Sequence, residues 1–188
     1  MEELHPGDPF LYMKVGVHAS ETLEDILIRK RKEIKDAGVA FWGYGGNTCH
    51  PIQAVQPFVR EQTDKGLTVR LLMQEINSRH FAEPVPATHY SADGVTWLKV
   101  PKGVNVLGSR YALVLSTLDA IDLPVSLEDS IVGVGKRIGS PGAKYIRGHV
   151  DKACLVYQPT QHPAPPQQVH LKLSARMADP YAVLLKTV

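Results

Sequence analysis

Residues 42–50 read Trp-Gly-Tyr-Gly-Gly-Asn-Thr-Cys-His, which puts aromatic rings, flexible backbone, an amide, a hydroxyl, a thiol and an imidazole side by side. Glycines at 43, 45 and 46 let the main chain bend sharply and let a ligand approach it closely. An apolar run ends at Trp42, and Pro51 suits the opening of a helix. The segment therefore reads as strand, turn and helix, an arrangement that presents free N–H groups to an anion. The chemistry expected of it is binding of a nucleotide-like or other phosphate-bearing small molecule. Trp42 and Tyr44 are expected to stack on its ring, while the backbone at Gly45, Gly46, Asn47 and Thr48 cradles the phosphate. The pattern is neither a Walker A loop nor a G-x-G-x-x-G fingerprint. The competing reading is a tight packing corner, with Trp42 simply in the core.

Cys49 and His50 suggest a second chemistry. A thiolate is favoured near a helix N-terminus, so Cys49 is a candidate nucleophile for a Cys/His-dependent hydrolase or transferase. Chain neighbours rarely point at each other, so His18 or His80 competes with His50 for the role of base. Cys49 as a small buried filler is the structural alternative. These residues leave open whether the protein is an enzyme, and they name no cofactor. No metal centre is expected, because the histidines show no i, i+4 spacing and there is no C-x-x-C.

A basic stretch at 134–152 holds Lys136, Arg137, Lys144, Arg147 and Lys152 against Asp151 alone, with glycines interleaved. Arg147 could grip a phosphate with two parallel bonds and Tyr145 could stack. The ligand's charge is expected to be met by Lys136, Arg137 or Arg147. Read instead as a solvated loop, the stretch supports a third possibility: a non-catalytic module for nucleic acid or protein, with steeply salt-dependent affinity. Arg29 to Lys32 are also basic. Consecutive helical residues point in different directions, and Glu33 and Asp36 offset them, so this run reads as an exposed helix face.

These groups must be positioned by a globular scaffold. The chain has 188 residues, 44% hydrophobic and 21% charged, which suits a single compact domain spanning 1–188. A net charge of +2 is too small to make the whole surface a polyanion-binding field. No apolar run of about 18 residues is present, so no membrane span is expected. The first residues are acidic and then turn-like, unlike a secretory signal, and Cys49 and Cys154 lie in unrelated contexts. The expectation is a cytoplasmic protein with free thiols.

Periodicity and punctuation predict an α/β (or α+β) fold, with a βαβαβ N-terminal half packed on a largely antiparallel second half. Strands are expected at 10–17, 39–42 and 67–76. A helix is expected from Ser20, as N-cap, to Ala37, with Gly38 ending it. A second lies within 51–65, split or kinked by Pro57. Asp93-Gly94 predicts a hairpin. The string from Ser91 to Trp97 resembles the Asp-box of sialidase-like propellers, but it is one residue shorter and occurs once, so it is read only as a turn. Further strands are expected at 104–107 and 110–117, with a strand or helix at 152–157. A Pro/Gln-rich connection, 158–168, leads to a C-terminal β-hairpin turning at Asp179-Pro180. That pair either completes the sheet or embraces a second copy, so a homo-oligomer is a candidate assembly. Ligands of open α/β sheets gather at the carboxyl ends of the strands, which places the site around His18 and Trp42.

Overall fold

The structure, a computed structural model, describes residues 3–46, 49–147 and 150–187, except the side chain of His80. The N-terminal half runs β1 (Pro9–His18), α1 (Leu23–Ala37), β2 (Ala40–Gly43), α2 (Ile52–Asp64) and β3 (Arg70–His80). Strands dominate the rest: β4 (His89–Ser91), β5 (Leu98–Lys99), β6 (Tyr111–Leu115), β7 (Asp119–Val125), β8 (Ser130–Val132), β9 (Lys152–Tyr157) and β10 (Val169–Lys186), with a short helix α3 (Gly142–Ile146) before β9. The fold is mixed α/β, and its strands join in one sheet within one domain. No helix among the described residues is long and apolar enough to cross a membrane.

Local chemistry explains the helix ends. Thr22, not Ser20, caps α1: its Oγ1 accepts from the Asp25 N–H at 3.2 Å. Ala19 and Ser20 instead form a left-handed turn, with φ of +48° and +66°, tied by reciprocal backbone bonds between His18 and Glu21. Such φ values disfavour side chains other than glycine's. Gly38 closes α1 at φ +82° and donates to the Ile34 carbonyl. Pro57 lies inside α2, which continues through it as a single helix. It sits on the solvent side with Gln53, whose carbonyl is left without its helical donor but open to water.

The strand order is β2-β6-β10-β3-β1-β9-β8, with β4 and β7 also on β10 and β5 on β4. β1 and β3 pair in parallel, joined by the α1–β2–α2 crossover, and every other described pairing is antiparallel. β2 leaves the parallel pair and lies at the sheet edge beside β6. The sheet curls enough that Trp42 on this edge still reaches β1, its Nε1–H meeting Met13 Sδ at 3.2 Å.

The expected C-terminal hairpin is not formed. Met177 and Ala182 both pair with β6 in the same antiparallel sense, so β10 is one long strand with a bulge at 178–181. Its ends serve different neighbours: β3 and β7 flank the first part, β6 and β4 the second. Gln56 of α2 holds the bulge, its Nε2 donating to the carbonyls of Pro180 and Ala182 at 2.9 and 3.0 Å. The Asp93-Gly94 hairpin does form, between β4 and β5. Asp93 Oδ1 accepts the N–H groups of Val95 and Thr96, which push its carboxyl pKa down to about 2.

Side chains alternate across the sheet as the period of two requires. Leu11 and Val15 of β1, Leu71 and Met73 of β3, and Leu113 and Leu115 of β6 pack with α2 residues Val55, Phe58 and Val59 in the largest core. Phe10, Tyr12 and Leu72 face the opposite side with Leu155 and Leu171. Phe41, Ala112, Val114 and Val183 form a third cluster near the sheet edge.

Candidate functional site

A cavity of about 680 Å³ opens at the carboxyl ends of β1, β2 and β3, where an α/β sheet is expected to collect a ligand. His18, Trp42, Gly45 and Gly46 all line it. Six cationic residues (Lys14, Arg29, Lys30, Arg110, Lys152 and Lys186) line it as well, against the acids Glu21 and Glu83. Several of these cations are already engaged. Arg29 pairs with Glu21 and Glu33, and Lys30 with Glu33. Lys14 stands 3.9 Å from Asp151, and the Lys186 ammonium sits 4.2 Å from the Trp97 ring centroid. Arg110 and Lys152 have no side-chain partner among the described residues.

Both residues adjoin the glycine turn, Arg110 through its backbone and Lys152 through its ammonium. The Arg110 N–H donates to the Gly45 carbonyl at 3.4 Å. A Cβ built on Gly46 would lie 3.9 Å from the Lys152 ammonium. The glycines at 43 and 45 serve packing: added Cβ atoms there would lie 2.2 Å from Ser109 Oγ and 2.3 Å from Tyr111 Cδ1. The packing-corner reading thus explains Gly43 and Gly45, while Gly46 stays open beside the cavity.

His18 reaches the cavity from the end of β1, and its Nε2 lies 3.1 Å from the Leu107 carbonyl. A carbonyl can only accept, so Nε2 carries the proton and Nδ1 of the neutral ring keeps a lone pair.

The remaining expected site residues fall elsewhere. Tyr44 is in the core, 1% exposed, with its hydroxyl directed to the Tyr12 and Ala153 carbonyls, so it is not available to stack on a ligand. The Gly45 N–H is taken by the Tyr111 carbonyl at 3.0 Å, and the Gly46 N–H by Cys49 Sγ at 3.1 Å. These two donors therefore do not form the expected phosphate cradle. Asn47 and Thr48 lie outside the described residues. Cys49 is half-buried, 3.9 Å from the Tyr111 hydroxyl, and is not part of the cavity lining that holds His18. Lys136, Arg137 and Arg147 are exposed and do not line the cavity. Tyr145 stacks on His50 rather than on a ligand, with ring centroids 5.1 Å apart and planes within 3°.

His50 faces inward because Tyr111 donates its hydroxyl proton to the His50 carbonyl and Tyr145 covers the ring. Its Nε2 is buried with no hydrogen-bond partner. Burial holds the imidazole pKa below its ordinary 6.5. The unfolded chain therefore binds the proton first as pH falls, so this contribution to stability is complete above about 6.5 and is lost below it. His50→Phe keeps the ring stacking and removes the titration. Unfolding midpoints of the natural protein should fall from pH 6.5 to 5 more steeply than those of this variant; parallel profiles would contradict the assignment.

Composition alone could not pick out Arg110 and Lys152. Lys152 sat within the basic stretch, but the strand β9 aims it at the glycine turn while Lys136, Arg137, Lys144 and Arg147 face solvent. Compared with protein-family models, curated proteins and solved structures, the chain matches none.

Proposed function

We propose that the protein binds a nucleotide-like or other phosphate-bearing small molecule in this cavity. The observation that carries the reading is the pair of cations, Arg110 and Lys152, lining a ligand-sized space at the strand ends without side-chain partners among the described residues. Side-chain charge supplies the anion's partner where the expected backbone cradle is absent. Should group transfer occur on the bound molecule, His18 is the candidate base, because Nδ1 keeps a lone pair and the residue lines the same cavity.

Calorimetry against inorganic phosphate, sugar phosphates and mono-, di-, tri- and cyclic nucleotides tests the reading. Binding by at least one of these is expected, weakened roughly tenfold or more by Lys152→Ala at unchanged melting temperature. A folded protein that binds no anionic ligand would overturn it.

A further inference from the structure

The cavity has charged partners for an anion, but the expected stacking platform is gone. Tyr44 lies in the core, and Trp42 is 5% exposed with its indole N–H committed to Met13. The aromatic surface open to a ligand comes instead from the loop after β3. Phe81 is 93% exposed and Val85 48% exposed, and both line the cavity. A large aromatic side chain left in water beside a cationic pocket is a surface that a planar ring would cover.

Charge limits the anionic end. Arg29 and Lys30 are balanced by Glu21 and Glu33, and Lys14 by Asp151. Arg110 and Lys152 remain at the glycine turn, with Lys186 on the Trp97 ring and Glu83 on the loop between Phe81 and Val85. A phosphate monoester carries a charge of about −1.5 to −2 at neutral pH, which the two free cations match. A triphosphate would bring further negative charge toward Glu83, with only Lys186, already over the Trp97 ring, as a further cation without a carboxylate partner among the described residues.

We infer that the ligand is the monophosphate of a planar-ring compound, of the nucleoside monophosphate class, with its phosphate between Arg110 and Lys152 and its ring on Phe81 and Val85. This rests on the phosphate-binding reading above and deepens it. It makes Phe81 the residue that sets ring preference.

The test is a calorimetric comparison of adenosine and cytidine monophosphates, phenyl phosphate, ribose 5-phosphate, inorganic phosphate and adenosine triphosphate, using the intact chain and Phe81→Ala. At least one ring-bearing monophosphate should bind tenfold or more tighter than ribose 5-phosphate and inorganic phosphate, and tighter than the triphosphate. Phe81→Ala should reduce that preference to within threefold, with inorganic phosphate affinity and melting temperature unchanged. Equal affinity for ring-bearing and ringless monophosphates, tighter triphosphate binding, or an unaltered preference in Phe81→Ala would overturn the inference while leaving phosphate binding intact. No binding by any of these compounds would overturn both.

Discussion

Gly45→Ala should cost the fold about 3 kcal/mol, while Gly46→Ala, one residue on, should change stability by no more than about 0.5 kcal/mol. The difference follows from what each new methyl would meet. At Gly45 the Cβ would lie 2.3 and 2.8 Å from the Tyr111 ring and 2.7 Å from the Tyr111 backbone nitrogen. The ring could swing aside, but the nitrogen belongs to β6. Relief therefore requires separating the turn from the strand. That movement would stretch the bonds that the Tyr44 and Gly45 N–H groups make to the Tyr111 carbonyl, at 3.1 and 3.0 Å. It would also displace the Tyr111 hydroxyl from the His50 carbonyl, which orients the start of α2. At Gly46 the nearest atom is the mobile end of Lys152, 3.9 Å away. Urea unfolding of the two variants checks this. Equal stabilities would mean that the turn yields freely and that the packing account of Gly45 is wrong. The two should separate in ligand binding as well. Gly46→Ala leaves the fold intact and sets a methyl in van der Waals contact with the Lys152 ammonium, so it probes the anion site without disturbing its frame.

That turn also shows what a single sequence can and cannot convey. Three glycines beside an aromatic run announced a corner, and the corner is present. The order of the first five elements was readable too, because the apolar period changes from two to near four and back, and Gly38 marks a helix end. What could not be read was which strand lies beside which. β2 carries the same apolar, aromatic signature as β1, yet it pairs with β6, because pairing depends on the fit of distant faces rather than on local pattern. β7 was missed since its exposed acids Asp119 and Asp122 and its Pro124 resemble a loop, and only Leu123 and Val125 are buried, with Ile121 partly so. Asp179-Pro180 was punctuation of the right kind with the wrong consequence: the extra residues bulge out of β10 and the strand direction is kept. The site follows the same rule. His18 and Trp42 were placed by the ends of their own strands. Arg110, Lys152 and Phe81 joined them through pairings with no local signature.

The basic run on α1 reverses most from its expected character. Lys30 and Glu33, read as part of an exposed face, are 3% and 2% exposed, beneath the segment around Asn105. Glu33 receives Lys30 Nζ at 3.0 Å, Arg29 Nη1 at 3.2 Å and the Asn105 N–H at 3.0 Å, and Lys30 also donates to the Asn105 carbonyl. Glu33→Gln keeps the shape and an acceptor but removes the charge. It should cost about 3 kcal/mol, because a buried ammonium loses its closest counterion. Adding Lys30→Met should restore most of the loss, since the uncompensated charge is then gone and the amide still accepts from Asn105. A pH series gives a second readout. Burial is the larger influence on Lys30 and lowers its pKa to about 8 from 10.5, with Glu33 opposing the shift. The unfolded chain therefore binds more protons between those values, and the Lys30 contribution makes stability rise with pH across that window. In Glu33→Gln the lower bound should move below 8, and in the double variant this contribution should vanish. If Glu33→Gln cost less than about 1 kcal/mol, within the range of a surface ion pair, the cluster would be acting as a solvated one and the buried reading would fail.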